Sequence, residues 1–188
     1  MSELLSYSKK LIIEQSEELA IEEAKKDPRK FEPLYNRYFK KVFHLILNRV
    51  GDKEMAAELT SNVFFKALSN IQKFKFKGYS IYTWLFRIAL NECNEHFRKT
   101  GESRLVVMDH SHYEILSEEI AIYGEEHKDL LKNALVKLKK EDLEIIELRF
   151  FESLQFNEIG EVLNISEGNS KVRLYRALDR LRKLMKVA

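Results

Sequence analysis

The chain has 188 residues, enough for one or two small domains, and its 45% hydrophobic content excludes an intrinsically disordered protein. Six glycines and two prolines are too few turn residues for an all-β protein, so the composition predicts an all-α fold. The single cysteine, Cys93, excludes an intramolecular disulfide and fits a cytoplasmic protein. Since no apolar run reaches membrane-spanning length and no signal-peptide pattern is found, we expect no membrane insertion.

The net charge of +2 is distributed in three blocks of alternating sign. Residues 31–100 carry twelve Lys/Arg against six Asp/Glu, residues 101–127 one against seven, and residues 171–188 seven against one. Basic blocks that coincide with predicted helices favour a nucleic-acid partner. Solvated helix faces would give the same pattern, so charge alone leaves both interpretations open.

A first amphipathic helix is predicted over residues 1–27. Leu5, Ile12 and Leu19 recur at a seven-residue spacing on its apolar face. The proline after Asp27 ends the helix, because a residue before proline avoids the helical conformation. The role of this helix stays open: it packs on the domain that follows, serves as a partner-binding arm, or has no specific role.

Further helices predict a domain over residues 28–100. Gly51 separates its first two long helices, and a glycine-containing stretch precedes the third, aromatic-rich helix at residues 81–98. Residues 101–126 are acidic and lack a sustained period, which predicts a flexible linker. Helical periodicity then resumes and predicts a second domain over residues 127–188.

The C-terminal segment has the pattern of a helix-turn-helix. Residues 156–163 form a short helix, Asn164 begins a three-residue turn, and Ser166 can cap the basic helix that follows. That second helix has about the width of the DNA major groove. A helical hairpin closing a bundle has the same outline, but it has little reason to expose several basic residues together, so the pattern favours DNA binding. Those basic residues are Lys171, Arg173, Arg176 and Arg180.

This C-terminal segment resembles region four of the extracytoplasmic-function sigma factors of bacterial RNA polymerase. The resemblance rests on Glu-Leu-Arg-Phe-Phe-Glu at residues 147–152, on Glu-Ile-Gly-Glu at residues 158–161, and on the basic helix after them. The sequence departs from the family pattern at Lys139, where proline is usual, and at Ser170, where a small apolar residue is usual.

Residues 31–98 resemble region two of the same family. Tyr-Thr-Trp-Leu-Phe-Arg-Ile-Ala at residues 82–89, followed by Asn91, is similar to the family's promoter-melting helix. The order of region two, acidic linker and region four also agrees, and the resemblance covers residues 31–100 and 128–186. It implies a promoter-binding transcription factor with no catalytic activity, cofactor or metal of its own.

The resemblance assigns roles to matching positions. In region four the promoter-contacting residues would be Lys171, Val172, Arg173, Tyr175, Arg176 and Arg180, with Arg173 and Arg180 mostly on phosphate. In region two the residues that hold the melted strand would be Lys73, Lys75, Lys77, Tyr82, Trp84, Arg87 and Asn91. The docking positions for the polymerase clamp helices would be Glu58, Leu59, Ser61 and Asn62, where the family usually has Gln and Glu at the last two. For Trp84 and Phe86, core packing is favoured over stacking on a base.

The partners implied by the resemblance are core RNA polymerase, promoter DNA and an anti-sigma factor, with a monomer when free. Two alternatives remain: a stand-alone helix-turn-helix regulator that binds DNA as a dimer, and an adaptor that binds polymerase without melting promoters. His110 and His112 lie in the predicted linker with no cysteine nearby, so a metal site is not expected there.

Overall fold

The computed structural model describes residues 16–76, 78–101, 107–108, 110–122, 124 and 127–186. Within these ranges the regular elements are all helical and no strand occurs, which confirms the predicted all-α fold. The chain divides into two compact units, Met1–Arg104 and Leu105–Ala188. Over the described ranges, no helix combines the length and the apolarity needed to cross a membrane.

The first unit is a helical bundle. It consists of α1 (residues 16–26), α2 (Glu32–Val50), α3 (Lys53–Asn70) and α4 (Ile81–Thr100), with 3-10 turns at Pro28–Phe31 and Ile71–Lys73. Gly51 ends α2 in the left-handed conformation (φ 75°), and Asp52 caps α3 by accepting a hydrogen bond from the amide of Met55 at 2.7 Å. The fully buried apolar side chains at its centre include Leu34, Val42, Ile46, Ala56, Val63, Ala67, Ile81, Leu85, Phe86 and Ala89.

Helix α1 packs on this bundle, which is one of the three roles left open for the predicted N-terminal helix. Glu17, Ile21 and Ala24 follow one another at steps of four and three residues and are buried. Leu19, placed on the apolar face by the seven-residue spacing, is instead 64% exposed. The predicted apolar face of α1 is therefore wrong. The side of the helix that packs on the bundle carries Glu17, Ile21 and Ala24, and it does not include Leu19. The rest of that predicted helix, residues 1–15, lies outside the described residues.

The second unit contains a helix-turn-helix and the helices that support it. Its elements are α5 (His110–Ile120), α6 (Lys128–Lys137), α7 (Lys140–Ile146), a π-helical segment (Glu147–Phe151), α8 (Phe156–Leu163) and α9 (Glu167–Lys186). The core side chains of this unit include Leu116, Leu131, Leu135, Ile145, Ile146, Leu148, Ile159, Leu178 and Leu181.

Helix α5 corrects the prediction for the acidic linker. Tyr113, Leu116 and Ile120 recur at three- and four-residue steps and are buried, while the acidic residues between them are exposed. The hydroxyl of Tyr113 donates to the carbonyl of Gly124 at 2.5 Å, and Arg182 donates to the carbonyl of Glu119 at 2.9 Å. The prediction of a flexible linker is therefore wrong for residues 110–120. The many acidic residues of this segment obscure the helical spacing of its few apolar residues in the sequence.

Candidate nucleic-acid interface

Helix α9 buries one face and exposes another. Its buried residues are Ser170, Leu174, Ala177, Leu178 and Leu181. Its exposed residues include Lys171, Val172, Tyr175, Arg176 and Arg180, while Arg173 is half-buried. Val172 and Tyr175 are 46% and 60% exposed, so two large apolar side chains stand among the cations. Such a face can meet phosphates with its cations and base edges with its central side chains, and contact with DNA stays a prediction.

The turn between α8 and α9 is closed by local backbone and side-chain hydrogen bonds. Asn164 takes the left-handed conformation (φ 55°), and the amide of Ile165 donates to the carbonyl of Gly160 at 2.9 Å. Ser166 caps α9 as predicted, because its hydroxyl accepts from the amide of Asn169 at 3.2 Å. The hydroxyl of buried Ser170 donates to the carbonyl of Ser166 at 3.1 Å, which satisfies the polar group that departs from the family pattern.

A cation–aromatic cluster adjoins this face and was not predicted from the sequence. The guanidinium carbon of Arg149 lies 5.0 Å from the ring centre of Phe156, and the Nζ atom of Lys171 lies 5.5 Å from the same centre. Arg149 also donates to the carbonyl of Leu154 at 3.0 Å. Lys171, which also pairs with Glu167 at 2.7 Å, therefore lies close to Phe156 at the start of α8.

Arg180 has a structural partner in the second unit. Its Nη1 atom lies 2.5 Å from Oδ1 of Asp142, whose side chain is only 11% exposed. This ion pair joins α7 to α9, so Arg180 stabilises the helix-turn-helix in addition to the phosphate contact predicted for it. Removing Arg180 would leave a nearly buried carboxylate without its partner, which mixes folding with binding in any mutant.

In the first unit, α3 and α4 line an open cleft of about 500 Å³. The predicted residues that the structure brings together there are Lys73, Trp84, Arg87 and Asn91. Lys66, Asn70, Phe74, Ile88, Glu92 and Glu95 complete the lining. Lys66 pairs with the nearly buried Glu92 at 2.5 Å, which connects α3 to α4 across the cleft. The cleft combines cations, an amide and an aromatic ring, which suits an unstacked nucleotide.

The predicted aromatic residues of α4 are integrated into the bundle to different degrees. Trp84 is half-buried and lies 4.9 Å from the ring of Phe74 in a tilted arrangement. Tyr82 is half-buried and stacks on Tyr38, with the two ring centres 5.8 Å apart. The Nζ atom of Lys41 lies 5.4 Å from the centre of the Tyr82 ring. Phe86 is completely buried, so the core interpretation is correct for it.

The lysines that precede α4 are exposed where the structure describes them. Lys73 and Lys75 both face solvent, in the 3-10 turn and the extended segment after it. Lys77 lies outside the described residues. The two described lysines are therefore available to phosphates near the cleft.

The predicted polymerase-docking positions lie on α3. Glu58 and Ser61 are exposed and Asn62 is half-buried, whereas Leu59 is buried and 6% exposed, so it serves as a packing residue here. Phe65, which the sequence reasoning missed, is 71% exposed three and four residues after Asn62 and Ser61. Phe65 is therefore an exposed aromatic side chain next to the predicted docking positions.

A buried carboxylate at the start of α4 was also missed. The side chain of Glu17 is 3% exposed and accepts hydrogen bonds from the hydroxyl of Tyr38 and the amide of Ile81. Burial first, and then the hydrogen bond to Glu17, raises the pKa of Tyr38 to about 12. The available signal was the register, because Glu17 is in phase with Ile21 and Ala24 on the buried stripe.

Groups with metal-binding chemistry do not cluster in the described part of the chain, where no three His, Cys, Asp or Glu side chains are placed to hold an ion. His112 stacks on Phe151 at 4.5 Å, and His110 lies 3.4 Å from the carboxylate of Glu114. Both histidines therefore have contacts within the second unit.

Comparison with known proteins places both units in sequence families. The family Sigma-70 region 2 matches residues 34–103, and the family Sigma-70, region 4 matches residues 134–183. The chain is 33% identical over 160 residues to the ECF RNA polymerase sigma factor BldN of Streptomyces coelicolor, covering 82% of this chain and 60% of BldN. It is 27% identical over 178 residues to the ECF RNA polymerase sigma factor SigW of Bacillus subtilis, covering 88% and 95%.

Solved structures with a similar fold were also found. The fold is similar to that of CnrH, solved with the cytosolic domain of CnrY, with a TM-score of 0.62, 18% identity, and coverage of 91% of this chain and 97% of that one. It is similar to RpoE of Bartonella quintana, solved with the anti-sigma factor NepR, with a TM-score of 0.57, 23% identity, and coverage of 85% and 98%. At these identities the likeness concerns the fold alone.

Proposed function

The chain belongs to the extracytoplasmic-function sigma factors of RNA polymerase, and on this premise we propose that it directs core polymerase to a specific set of promoters and starts transcription there. The first unit melts and holds the proximal promoter element, and the second unit reads the distal element. In this role the chain supplies recognition and melting, and core polymerase supplies the catalytic site.

The observation that carries the proposal is that one chain has two separate faces suited to nucleic acid. The exposed side of α9 combines cations with Val172 and Tyr175, as a major-groove reader requires. The cleft of the first unit instead combines Trp84, Arg87 and Asn91, as single-strand capture requires. A stand-alone helix-turn-helix regulator has a use for the first of these faces and none for the second.

The proposal includes docking on core polymerase through one face of α3. Glu58, Ser61 and Asn62 supply polar groups on this face, and the last two are shorter than the side chains usual in the family. Phe65 is exposed beside them and would supply apolar area to the contact, because aromatic side chains are enriched among the residues that dominate interface energies.

The deciding experiment is transcription reconstituted from purified chain, core polymerase and a promoter library. A sigma factor produces transcripts that start at defined sites, and permanganate detects unpaired thymines upstream of those starts. A regulator leaves core polymerase unable to initiate. An adaptor binds core polymerase, which size-exclusion chromatography detects, but produces no permanganate-reactive thymines.

The proposal also includes an anti-sigma partner that covers both units until a signal releases the chain. Family membership supports this partner, and the free chain is then expected to be monomeric. Light scattering of the purified chain tests the second point, since a stable dimer would instead favour the regulator.

A further inference from the structure

Glu17 is an ionisable side chain buried in α1, outside the residues matched by the region 2 family. Its side chain is 3% exposed, and burying a carboxylate is costly unless several donors satisfy it. The surrounding helices therefore have to supply hydrogen-bond donors to its two oxygen atoms.

The donors to Glu17 come from two other helices. Its Oε1 atom accepts from the amide of Ile81, at the first turn of α4. Its Oε2 atom accepts from the hydroxyl of Tyr38 in α2 and from the hydroxyl of Ser80 at 3.2 Å, and an Nη atom of Arg37 lies 3.8 Å away. The carboxylate thus joins α1, α2 and the beginning of α4.

This junction is one residue away from Tyr82, one of the residues predicted to hold the melted strand. Ser80 also accepts from the amide of Tyr82 at 3.2 Å, so it already caps the helix. Tyr38 stacks on the ring of Tyr82 at 5.8 Å with an interplanar angle of 20°. Glu17 is therefore connected to Tyr82 in two ways, through the backbone start of α4 and through the ring of Tyr38.

We propose that Glu17 is a positioning residue for promoter melting: α1 holds the first turn of α4, and with it Tyr82, in the geometry that captures the unpaired strand. The inference rests on the proposed function and adds to it a role for the segment before α2. Helix N-termini attract carboxylates for reasons of stability alone, so the experiment has to separate positioning from folding.

The main variant is Glu17→Gln, which keeps the size of the side chain but replaces one acceptor oxygen by an NH2 donor. The expected result is about a tenfold loss of permanganate-reactive open complex, the size expected for losing a hydrogen bond to a charged group. Affinity for core polymerase is expected to stay unchanged, because the predicted docking residues on α3 contribute none of the hydrogen bonds to Glu17. The matched control is Glu22→Gln, an exposed residue of the same helix that pairs with Lys25 at 2.7 Å and should melt promoters like the wild type.

A second variant, Tyr38→Phe, keeps the ring that stacks on Tyr82 and removes one donor to Glu17. It should reduce open-complex formation less than Glu17→Gln, again with unchanged polymerase affinity. Circular dichroism establishes a temperature at which each variant is folded before any assay. Wild-type open-complex yield from folded Glu17→Gln overturns the inference, and so does an equal loss of polymerase affinity and melting. A wild-type chain that melts no promoter refutes the proposed function instead.

Discussion

The two candidate nucleic-acid faces differ in how far they share residues with the hydrophobic core. In the second unit, Val172, Tyr175 and Arg176 stand on the exposed side of α9, and the residues that hold α9 are different ones. In the first unit, Tyr82 and Trp84 are half-buried and pack on Tyr38 and Phe74. Apart from Arg180, which pairs with Asp142, the residues of α9 predicted to recognise DNA are not the ones that pack the helix, whereas in α4 the two sets overlap.

This difference has a physical reason. A helix that enters the major groove reads an intact duplex with side chains that project freely, so its opposite face can pack as any amphipathic helix does. A surface that holds an unstacked base needs aromatic rings at fixed positions, and fixed rings are obtained by packing them on neighbouring rings. Mutations at Val172, Tyr175 and Arg176 should therefore separate stability from recognition in the second unit, whereas mutations in α4 should change both together.

The largest effect on stability is expected for Phe86→Ala in α4. Phe86 is completely buried, so the truncation should lower the free energy of unfolding by about 3–5 kcal/mol in urea denaturation. Promoter melting should fall with it, because Tyr82 packs edge-on against this ring at 5.8 Å. A loss below about 1 kcal/mol would mean that α4 is loosely packed, which would contradict the claim that its predicted DNA-binding residues are part of a tightly packed core.

The next effect is expected for Gly160→Ala in α8. A Cβ atom at Gly160 would lie 2.7 Å from the carbonyl oxygen of Ile165, a backbone atom that cannot move aside cheaply, so the free energy of unfolding should fall by about 1–3 kcal/mol. Gly168→Ala in α9 is the matched control, because nothing lies within 4 Å of its Cβ position. That control should be neutral or stabilising by about 0.5 kcal/mol, and urea denaturation measures both variants.

Arg176→Ala should separate recognition from folding. Arg176 is exposed, so the free energy of unfolding should change by less than about 0.5 kcal/mol. Loss of a base contact should cost about 1–3 kcal/mol at promoters whose distal element carries the contacted base, and little at others. Lys183→Ala, on the same helix and paired with Asp179 at 2.8 Å, is the control in the transcription assay. Equal loss at every promoter would reduce Arg176 to a phosphate contact.

The smallest effect is expected from the ionisation of Tyr38. Its pKa is raised to about 12, whereas the pKa of a tyrosine in the unfolded chain is about 10. Between these values the folded chain binds more protons than the unfolded chain, so the free energy of unfolding falls as the pH rises from about 10 to about 12. Tyr38→Phe removes this contribution, and urea denaturation at about pH 9 and about pH 11 should show a smaller decline than in the wild type. Equal declines would place Tyr38 outside the buried junction.

The parts of the molecule that could be predicted from the sequence are those with local signals. The stop at Gly51, the cap at Ser166 and the exposed pattern of α9 depend on residues within a few positions of one another. The same holds for the all-α fold, which follows from composition and helical periodicity.

The parts that could not be predicted depend on contacts between distant residues. Glu17 receives its donors from positions 38, 80 and 81, and Arg180 reaches Asp142 in another helix. The prediction for Leu19 is wrong because periodicity shows which residues share a face of a helix but does not show which face packs on the rest of the protein. Helix α5 is not predicted because its three buried apolar side chains are outweighed by acidic neighbours.

The single cysteine of the chain lies in α4 and is completely buried. A thiol reagent can reach Cys93 only when α4 separates from its neighbours, so the labelling rate of the native protein measures that opening reaction. Global melting of a chain with two units mixes their transitions, whereas this one sulfur atom reports on the first unit alone. Labelling in the presence of polymerase or of single-stranded promoter DNA would therefore measure how fast α4, the helix to which we assign promoter melting, opens locally. The measurement needs no introduced probe.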